Sequence, residues 1–241
     1  MDLRSLRASL RGELPPVPVT GAEDARWSAI SSADDLYLRP NDDLVAVLLA
    51  AAERARAISL TSLEARSDPA HARWVRRWPG EHYRLLAALV ATLQPATVVE
   101  IGTFKGHGAL ALAAGSSATK VITYDVVPWP EFADTALRAS DLDGGQLEQR
   151  LGDLGDPAYL REQLVTLRSA DLLFIDGPKD GVWEQHALAP ILAALTDRRR
   201  LVILDDIRLL ELVQLWRDLP FAKLDATSLG HWSGTGLLHT A

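Results

Sequence analysis

Cysteine is absent from the 241 residues of this chain. Without it, the protein has no disulfide bond, no zinc–thiolate site and no cysteine nucleophile. A long apolar run is missing as well, because the longest, residues 44–52, is too short to cross a bilayer and is followed by Glu53 and Arg54. The basic residues near Met1 are not followed by the apolar stretch of a secretory signal peptide. These absences predict a soluble protein of the cytoplasm without a membrane partner.

Basic residues are outnumbered, with 25 Lys and Arg against 32 Asp and Glu and a net charge of −7. Binding to a nucleic-acid backbone requires a basic surface, so this charge argues against DNA or RNA as the main partner. A local basic patch at Arg73, Arg76 and Arg77 is the exception. The 48% hydrophobic and 24% charged residues are an ordinary balance for a globular protein, and they predict a sizeable buried core.

The first 80 residues read differently from the rest, and we predict that they form an N-terminal helical cap or lid. Residues 2–11 have the pattern of a short amphipathic helix, and residues 14–19 (LPPVPV) that of a stiff connector. A second helix is predicted over residues 42–59, with its apolar residues on one face. The segment also contains Trp27, Trp74 and Trp78. It therefore either folds over the site or forms the interface of a homodimer.

Residues 81–241 alternate between strand and helix patterns, which predicts a doubly wound, mostly parallel sheet of seven strands with helices on both faces. The predicted strands are residues 97–101, 120–125, 146–151, 171–176, 201–206, 221–226 and 236–240. The predicted helices are residues 81–93, 106–114, 131–139, 157–168, 182–195 and 209–219. In such α/β folds the ligand binds beyond the carboxyl ends of the strands.

Several predicted strands end in acidic residues, and the first runs into the glycine-rich stretch EIGTFKGHG, residues 100–108. Its glycines allow the backbone to approach a ligand closely, but their spacing is not that of the dinucleotide fingerprint. Glu100 before the loop favours a cationic ligand over a pyrophosphate. Asp125, which ends the second strand, has the position of a ribose ligand, and Asp153 follows the third strand, where an adenine edge would lie.

These residues together resemble the class I S-adenosylmethionine-dependent methyltransferases, over roughly residues 81–241. EIGTFKGHG is similar to the loop of catechol and caffeoyl-CoA O-methyltransferases, which often have Ser at the position of Gly108. FIDGPKD and LDD, at the ends of the fourth and fifth strands, are similar to further motifs of these enzymes. Macrolide-type sugar O-methyltransferases share the same layout. The resemblance implies S-adenosylmethionine as cofactor, with contacts at Glu100, Gly102, Thr103, Gly106, Gly108, Asp125, Asp153 and Asp176.

The resemblance also implies a divalent metal, Mg²⁺ or Mn²⁺, held by the carboxylates of Asp176, Asp205 and Asp206. Oxygen ligands of this kind suit Mg²⁺, whose open positions would hold substrate oxygens and make a hydroxyl more acidic. Lys179 would then be the general base. The competing interpretation is an ion-pair cluster in which Lys179 or Arg208 neutralises the acids, together with a helix cap at Asp205 and Asp206.

We therefore expect a small-molecule O-methyltransferase that is metal-assisted, with an acceptor that is aromatic or glycosylated. Trp129, Trp183 and Trp232 follow or precede strand ends and would form walls for a flat acceptor, although tryptophan also serves plain packing. Three alternatives stay open: a metal-independent N- or O-methyltransferase, a nicotinamide oxidoreductase and a non-catalytic binding protein. The histidines considered as further bases are His107, His186 and His231.

Overall fold

The structure, a computed structural model, describes residues 41–79 and 81–240. The predicted helix over residues 2–11, the connector at 14–19 and Trp27 lie outside the described residues. No helix within the described ranges is long and apolar enough to cross a membrane.

Seven strands form one sheet in the order β3-β2-β1-β4-β5-β7-β6. Strands β1 to β5 are parallel, whereas β7 runs antiparallel between β5 and β6. The prediction of a mostly parallel seven-stranded sheet is therefore confirmed. The strands are β1 (Thr97–Ile101), β2 (Lys120–Asp125), β3 (Leu147–Leu151), β4 (Leu172–Ile175), β5 (Leu201–Asp205), β6 (Lys223–Asp225) and β7 (Thr235–His239).

Helices cover both faces of the sheet, as predicted for a doubly wound fold. In chain order the α-helices are α1 (Asp42–Ala57), α2 (Thr61–Glu64), α3 (Pro69–Arg76), α4 (Tyr83–Leu93), α5 (His107–Gly115), α6 (Ala139–Asp143), α7 (Pro157–Ser169), α8 (Val182–Ala193) and α9 (Leu210–Asp218). Short 3₁₀ turns occupy Trp129–Glu131 and Thr227–Leu229.

The two faces of the sheet bury two separate apolar cores, because successive side chains of a strand point to opposite sides. In β4, Leu172 and Phe174 join the core on the side of α1, α4 and α5. Leu173 and Ile175 join the core on the side of α7 and α8. All four side chains are buried, and each such burial stabilises the fold by about 1.5–3 kcal/mol. A strand buried on both faces reads as a continuous apolar run, and this is why FIDGPKD stands out where the run ends.

Asn41 caps helix α1, because its side chain accepts a hydrogen bond from the backbone nitrogen of Leu44 at 2.9 Å. The helix packs against α4, and its buried Leu44 and Leu48 belong to the same core as that helix. Residues 41–79 thus share a core with the sheet through α4. The predicted boundary between residues 1–80 and 81–241, and a lid function for the first part, remain predictions.

The predicted helix over residues 131–139 is wrong. Pro128 precedes and Pro130 lies within a single 3₁₀ turn, Trp129–Glu131, and the chain then runs without helix until Ala139. The backbone nitrogen of Ala136 donates to the carbonyl of Lys105 at 2.9 Å, and the Thr135 hydroxyl reaches the same carbonyl at 3.3 Å. Ala136 and Thr135 therefore hydrogen-bond to the glycine-rich loop, whereas in a helix the backbone nitrogen of Ala136 would bond to a carbonyl within that helix.

His107, the first residue of α5, joins the glycine-rich loop to the segment before α4. Its imidazole is 4% exposed, stacks on His71 with ring centroids 4.6 Å apart, and lies 3.0 Å from the Ser67 hydroxyl. Burial, followed by the nearby charge of His71, lowers the pKa of His107 from 6.5 to about 4. His107 is therefore neutral in the folded protein at neutral pH.

We predict that His107 makes the protein lose stability in mild acid. Because its folded pKa lies below the unfolded value, its contribution is complete above pH 6.5 and is lost as the pH falls towards 4. Between pH 8 and pH 4.5 the loss amounts to about 2–3 kcal/mol in the free energy of unfolding. Urea unfolding at both pH values measures it. His107→Gln should show a correspondingly smaller pH dependence, whereas the exposed His186→Gln should match the wild type.

Candidate active site

A cavity of about 480 Å³ opens at the carboxyl edge of the sheet, beyond the ends of β1 to β4. This is the edge at which parallel α/β sheets bind ligands. Four residues predicted from the sequence as ligand contacts line it: Gly102, Asp125, Asp153 and Asp176. Apolar and aromatic side chains form much of the remaining wall, from Ile101, Phe104, Tyr124, Val126, Phe132, Leu154, Pro178 and Trp183. Lys179 also lines the cavity.

Gly102 allows the loop after β1 to pass against the end of β4. Its φ of +104° lies in the region that favours glycine, and a β-carbon there would fall 2.0 Å from the carbonyl oxygen of Asp176. The next residue but one, Phe104, has a φ of +44°. Its backbone nitrogen donates to the Asp125 carboxylate at 2.7 Å. The loop is thus tied to the ends of both neighbouring strands.

Glu100 and Thr103 lie behind this loop rather than on the cavity wall. The Glu100 carboxylate accepts a 2.5 Å hydrogen bond from the Thr123 hydroxyl, which is 2.8 Å from that of Thr103. Burial, reinforced by the charges of Asp176 and Asp125, raises the pKa of Glu100 well above its usual range. A β-carbon on Gly108 would fall 2.1 Å from Glu100 Oε1. Glycine at this position therefore leaves space for the buried carboxyl group. Gly106 is the N-cap of helix α5.

Asp125 and Asp153 line the cavity at the ends of the neighbouring strands β2 and β3. Asp125 accepts hydrogen bonds from the backbone nitrogens of Phe104, at 2.7 Å, and Val127, at 3.0 Å. Asp153 Oδ1 accepts from the backbone nitrogen of Gly155 at 2.7 Å and from the Trp183 indole at 2.9 Å. A carboxylate offers about four acceptor positions, so each retains capacity for a ligand. Trp183, one of the three tryptophans expected near the site, is thereby fixed as part of the wall.

Glu184, in the first turn of α8, determines the shape of the loop that follows β4. Its buried carboxylate accepts from the backbone nitrogens of Lys179, at 2.7 Å, and Gly181, at 3.0 Å. Asp180 caps the same helix by accepting from the backbone nitrogens of Val182 and Trp183. With both carboxylates satisfied in this way, Lys179 is held at a φ of +64° and its side chain turns back towards the strand ends.

Asp176, Asp205 and Asp206 converge on the ammonium group of Lys179. The ammonium forms ion pairs with Asp176 and Asp206, and it lies 2.9 Å from Asp205 Oδ2. Arg208, the other cation considered from the sequence, pairs with Asp225 at 2.9 Å instead. The three acids predicted as neighbours are therefore together, and a cation already occupies the point where they meet.

We call the cluster of Asp176, Asp205, Asp206 and Lys179 the acidic centre. Its pKa values are shifted because it is little exposed and highly charged. Burial lowers the pKa of Lys179, but the charges of Asp176, Asp205 and Asp206 outweigh it and raise the pKa above the usual value. Burial and the neighbouring Asp205 charge raise the pKa of Asp176. The Asp205 carboxyl is held well below its usual pKa, against the effect of burial, by His82, His231 and Lys179. In this arrangement Lys179 is protonated.

Two histidines contact Asp205, and a glutamate contacts one of them, His231. His231 Nδ1 lies 3.1 Å from Asp205 Oδ1, and its Nε2 lies 3.0 Å from Glu81 Oε2. His82 Nδ1 is also 3.1 Å from Asp205 Oδ1. His231 was only one of three bases considered. Glu81 and His82 stand out in the sequence only as a polar pair directly before an apolar helix. Nothing in the sequence shows that this pair lies next to the end of β5.

Strained backbone is concentrated at this edge. Four described non-glycine residues have positive φ, and three of them are Phe104, Lys179 and Asp206. Each follows a strand that ends at the site, and each such conformation costs of order 1–3 kcal/mol. The backbone nitrogen of Asp206 donates to the Gly234 carbonyl at 2.7 Å, which holds the turn after β5 in place. Such strain is typical of residues whose position serves a ligand.

No protein-family model matches the sequence, and no curated protein sequence matches it. A methyltransferase from Geobacter sulfurreducens is 22% identical, with a TM-score of 0.51, over 76% of this chain and 90% of that one. SAH-bound structures include a Podospora anserina methyltransferase, at 15% identity, TM-score 0.45, and 80% and 86% coverage. A Bacillus cereus O-methyltransferase complex has 19% identity, TM-score 0.43, and 89% and 98% coverage. The first similarity confirms the predicted class I methyltransferase fold.

We predict that Gly102→Ala destabilises the protein, because the new methyl group meets the Asp176 carbonyl and the φ of +104° is unfavourable for alanine. Overpacking and the backbone conformation together should cost about 2 kcal/mol or more. Gly144→Ala is the matched control, since its φ is −79° and no atom lies within 4 Å of the added carbon. Urea unfolding compares the two. Equal stability of both variants would contradict the close approach of this loop to β4.

Proposed function

We propose that the protein is an S-adenosylmethionine-dependent methyltransferase that transfers a methyl group to a hydroxyl of a small molecule with the help of a divalent metal. One observation carries this proposal: the cavity and the acidic centre share a wall. Asp176 and Lys179 line the cavity and also take part in the ion-pair cluster with Asp205 and Asp206. A cofactor in the cavity would therefore lie next to groups able to hold and deprotonate an acceptor.

The cavity has the donors and acceptors that a nucleoside with a sulfonium group requires. Asp125 would accept hydrogen bonds from the ribose hydroxyls, as acids at the end of a second strand do in nucleotide-binding folds. Asp153, held by Gly155 and Trp183, would accept from the adenine amino group, and the indole would contact the ring. The acidic lining favours a cationic sulfonium over a pyrophosphate. The cofactor contacts expected at Glu100, Thr103, Gly106 and Gly108 would be indirect. These residues would set the shape of the loop that the cofactor touches.

The donor set of the acidic centre fits a small hard cation. Oxygens of Asp176, Asp205 and Asp206 all approach one positively charged nitrogen, so three carboxylates can face a single cation at this point. Mg²⁺ or Mn²⁺ takes oxygen ligands of this kind. A divalent cation held there would lower the pKa of a hydroxyl bound to it.

Lys179 is the residue proposed to accept the proton. An ammonium surrounded by three carboxylates cannot do so, and the pKa of Lys179 is raised in this arrangement. A divalent cation shared by the same carboxylates would remove much of the charge that keeps the lysine protonated. Lys179 would then be a base at the cavity wall, next to the acceptor hydroxyl. Holding the acceptor oxygen and the methyl group in line would supply much of the remaining acceleration.

A nicotinamide oxidoreductase and a non-catalytic binding protein are the candidates from other classes. The glycine spacing after β1 and the aspartates that line the cavity disfavour a pyrophosphate, which is the part of NAD that such loops hold. Calorimetry separates the cofactors: the proposal expects binding of S-adenosylmethionine and S-adenosylhomocysteine and none of NAD. Transfer of an isotope-labelled methyl group to a panel of aromatic diols and glycosides then separates an enzyme from a binding protein.

We predict that Asp125→Asn weakens binding of S-adenosylhomocysteine by about 10- to 100-fold, because charge-assisted hydrogen bonds to the ribose, worth about 1.5–3 kcal/mol each, become neutral ones. Asparagine keeps an oxygen for one of the two loop nitrogens that Asp125 binds, so the loop is perturbed little. Asp143→Asn, on the exposed helix α6, is the control and should bind normally. Unchanged affinity of the Asp125 variant would refute this position of the ribose.

We predict that chelation abolishes methyl transfer and that Mg²⁺ or Mn²⁺ restores it. Lys179→Met should lower the rate by about 10²–10⁴, the usual contribution of a general base, while S-adenosylhomocysteine still binds. Lys120→Met, at the opposite edge of the sheet, is the matched control. Full turnover of metal-free protein would refute the metal role. The three acids would then serve as an ion-pair cluster with Lys179.

A further inference from the structure

We propose that the metal held by Asp205 and Asp206 takes the imidazole of His231 as a further ligand, so that the site binds a first-row transition metal in preference to Mg²⁺. This deepens the metal assistance proposed above and rests on that part of the proposed function. The potential ligand atoms of Asp205, Asp206 and His231 all lie within 4.8 Å of one another.

The carboxylates of Asp205 and Asp206 present two different sides. Their Oδ2 atoms face the ammonium of Lys179. His231 Nδ1 lies 3.1 Å from Asp205 Oδ1 and 3.3 Å from both Asp206 Oδ1 and Asp205 Oδ2. A cation beside His231 therefore has two carboxylate oxygens and one ring nitrogen within reach.

Glu81 orients the ring of His231 in the way that metal-binding histidines are oriented. Its Oε2 lies 3.0 Å from His231 Nε2, the nitrogen that points away from the two aspartates. A histidine that binds a metal through one nitrogen almost always donates the other N–H to a carboxylate, a carbonyl or water. With Glu81 accepting the proton on Nε2, a metal would bind at Nδ1 by displacing the proton that faces Asp205 there.

His82 supplies an independent observation at the same place. Its side chain is 2% exposed, and neither ring nitrogen forms a hydrogen bond with any described residue. Nδ1 lies 3.1 Å from Asp205 Oδ1 but is not aligned with it for a hydrogen bond. The buried Nε2 in particular has no hydrogen-bond partner among the described residues, which destabilises the fold unless a ligand satisfies it. His82 lies within ligand distance of Asp176 and Asp205, so a metal or its bound water at this centre would satisfy it.

The ligand types decide the metal. Carboxylate oxygens alone suit Mg²⁺ and Mn²⁺, whereas imidazole suits iron, nickel, copper and zinc. A set of two carboxylates with one imidazole, and a second imidazole beside Asp205, therefore shifts the preference away from Mg²⁺. Ser233 hydrogen-bonds to Asp206 Oδ1 and holds that carboxylate in place.

The test is calorimetric titration of untagged, chelator-treated protein with Ni²⁺, alone and in the presence of about 100-fold more Mg²⁺. Nickel should remain bound despite the magnesium. Glu81→Gln should weaken nickel binding about 10- to 100-fold, and His231→Gln at least as much. His186→Gln removes an exposed imidazole from α8 and should leave the affinity unchanged. X-ray absorption of the nickel-loaded protein should show imidazole scattering that His231→Gln reduces.

Displacement of nickel by magnesium, or equal nickel affinity of the wild type and His231→Gln, would overturn the inference. Circular dichroism must show that each variant is folded, and Ser233→Ala is a second variant that should weaken nickel binding without removing a ligand. Binding of S-adenosylhomocysteine, measured on the same samples, separates the two proposals. Nickel binding that depends on His231 without cofactor binding would refute the methyltransferase and leave the metal site. Cofactor binding and Mg²⁺-dependent methyl transfer, with nickel binding that does not depend on His231, would refute the His231 ligand and leave the methyltransferase.

Discussion

Mutual repulsion of three carboxylates at the ends of β4 and β5 is the constraint on which the rest of this site depends. Two unit charges about 4 Å apart repel by about 4 kcal/mol at an effective dielectric constant of about 20. Asp205 and Asp206 are both buried, so water screens them little. The protein offsets this repulsion with the ammonium of Lys179 on one side and the protonated ring of His231 on the other. Asp205 and Glu81 raise the pKa of His231 to about 10 against the effect of burial. Removing either cation would leave a buried charge uncompensated.

The surrounding backbone is shaped to keep these cations in place. Glu184 fixes the loop that carries Lys179, and the 233–234 turn pairs with the chain after β5. Lys179 and Asp206 both adopt left-handed conformations, each at an energetic cost that stability alone does not require. A site of this kind is arranged to hold charge at a defined point. The proposed metal and the proposed proton transfer to Lys179 both require charge held in this way.

The cavity and the acidic centre lie side by side because the parallel strands end at the same edge of the sheet. Gly102 lets the loop after β1 lie directly against Asp176, so the wall of the cavity and the acidic centre share a residue. Asp125 ties that loop to the end of β2. A ligand that bridges Asp125 and Asp176 would therefore contact parts of the chain that already support one another. This preorganisation lowers the cost of binding.

Local pattern alone determined most of the fold. The alternation of apolar strands and amphipathic helices predicted the seven strands and the doubly wound sheet, because burial on both faces requires a continuous apolar run such as residues 172–175. The strand ends likewise revealed Asp125, Asp153, Asp176, Asp205 and Asp206, since parallel strands bring their carboxyl ends to one edge. The helix over residues 131–139 failed because its backbone is bonded to the Lys105 carbonyl, a contact that no local pattern contains.

Only the tertiary structure decided which groups surround those acids. Glu81 and His82 precede α4, and His231 precedes β7, so they are separated from Asp205 by between 26 and 124 residues along the chain. Lys179 and not Arg208 is the partner of the three acids, because Arg208 forms an ion pair with Asp225. The sequence determined which residue types were available at the strand ends. Their charges and protonation were decided by packing, because a pKa depends on burial and on neighbours that the fold alone brings together.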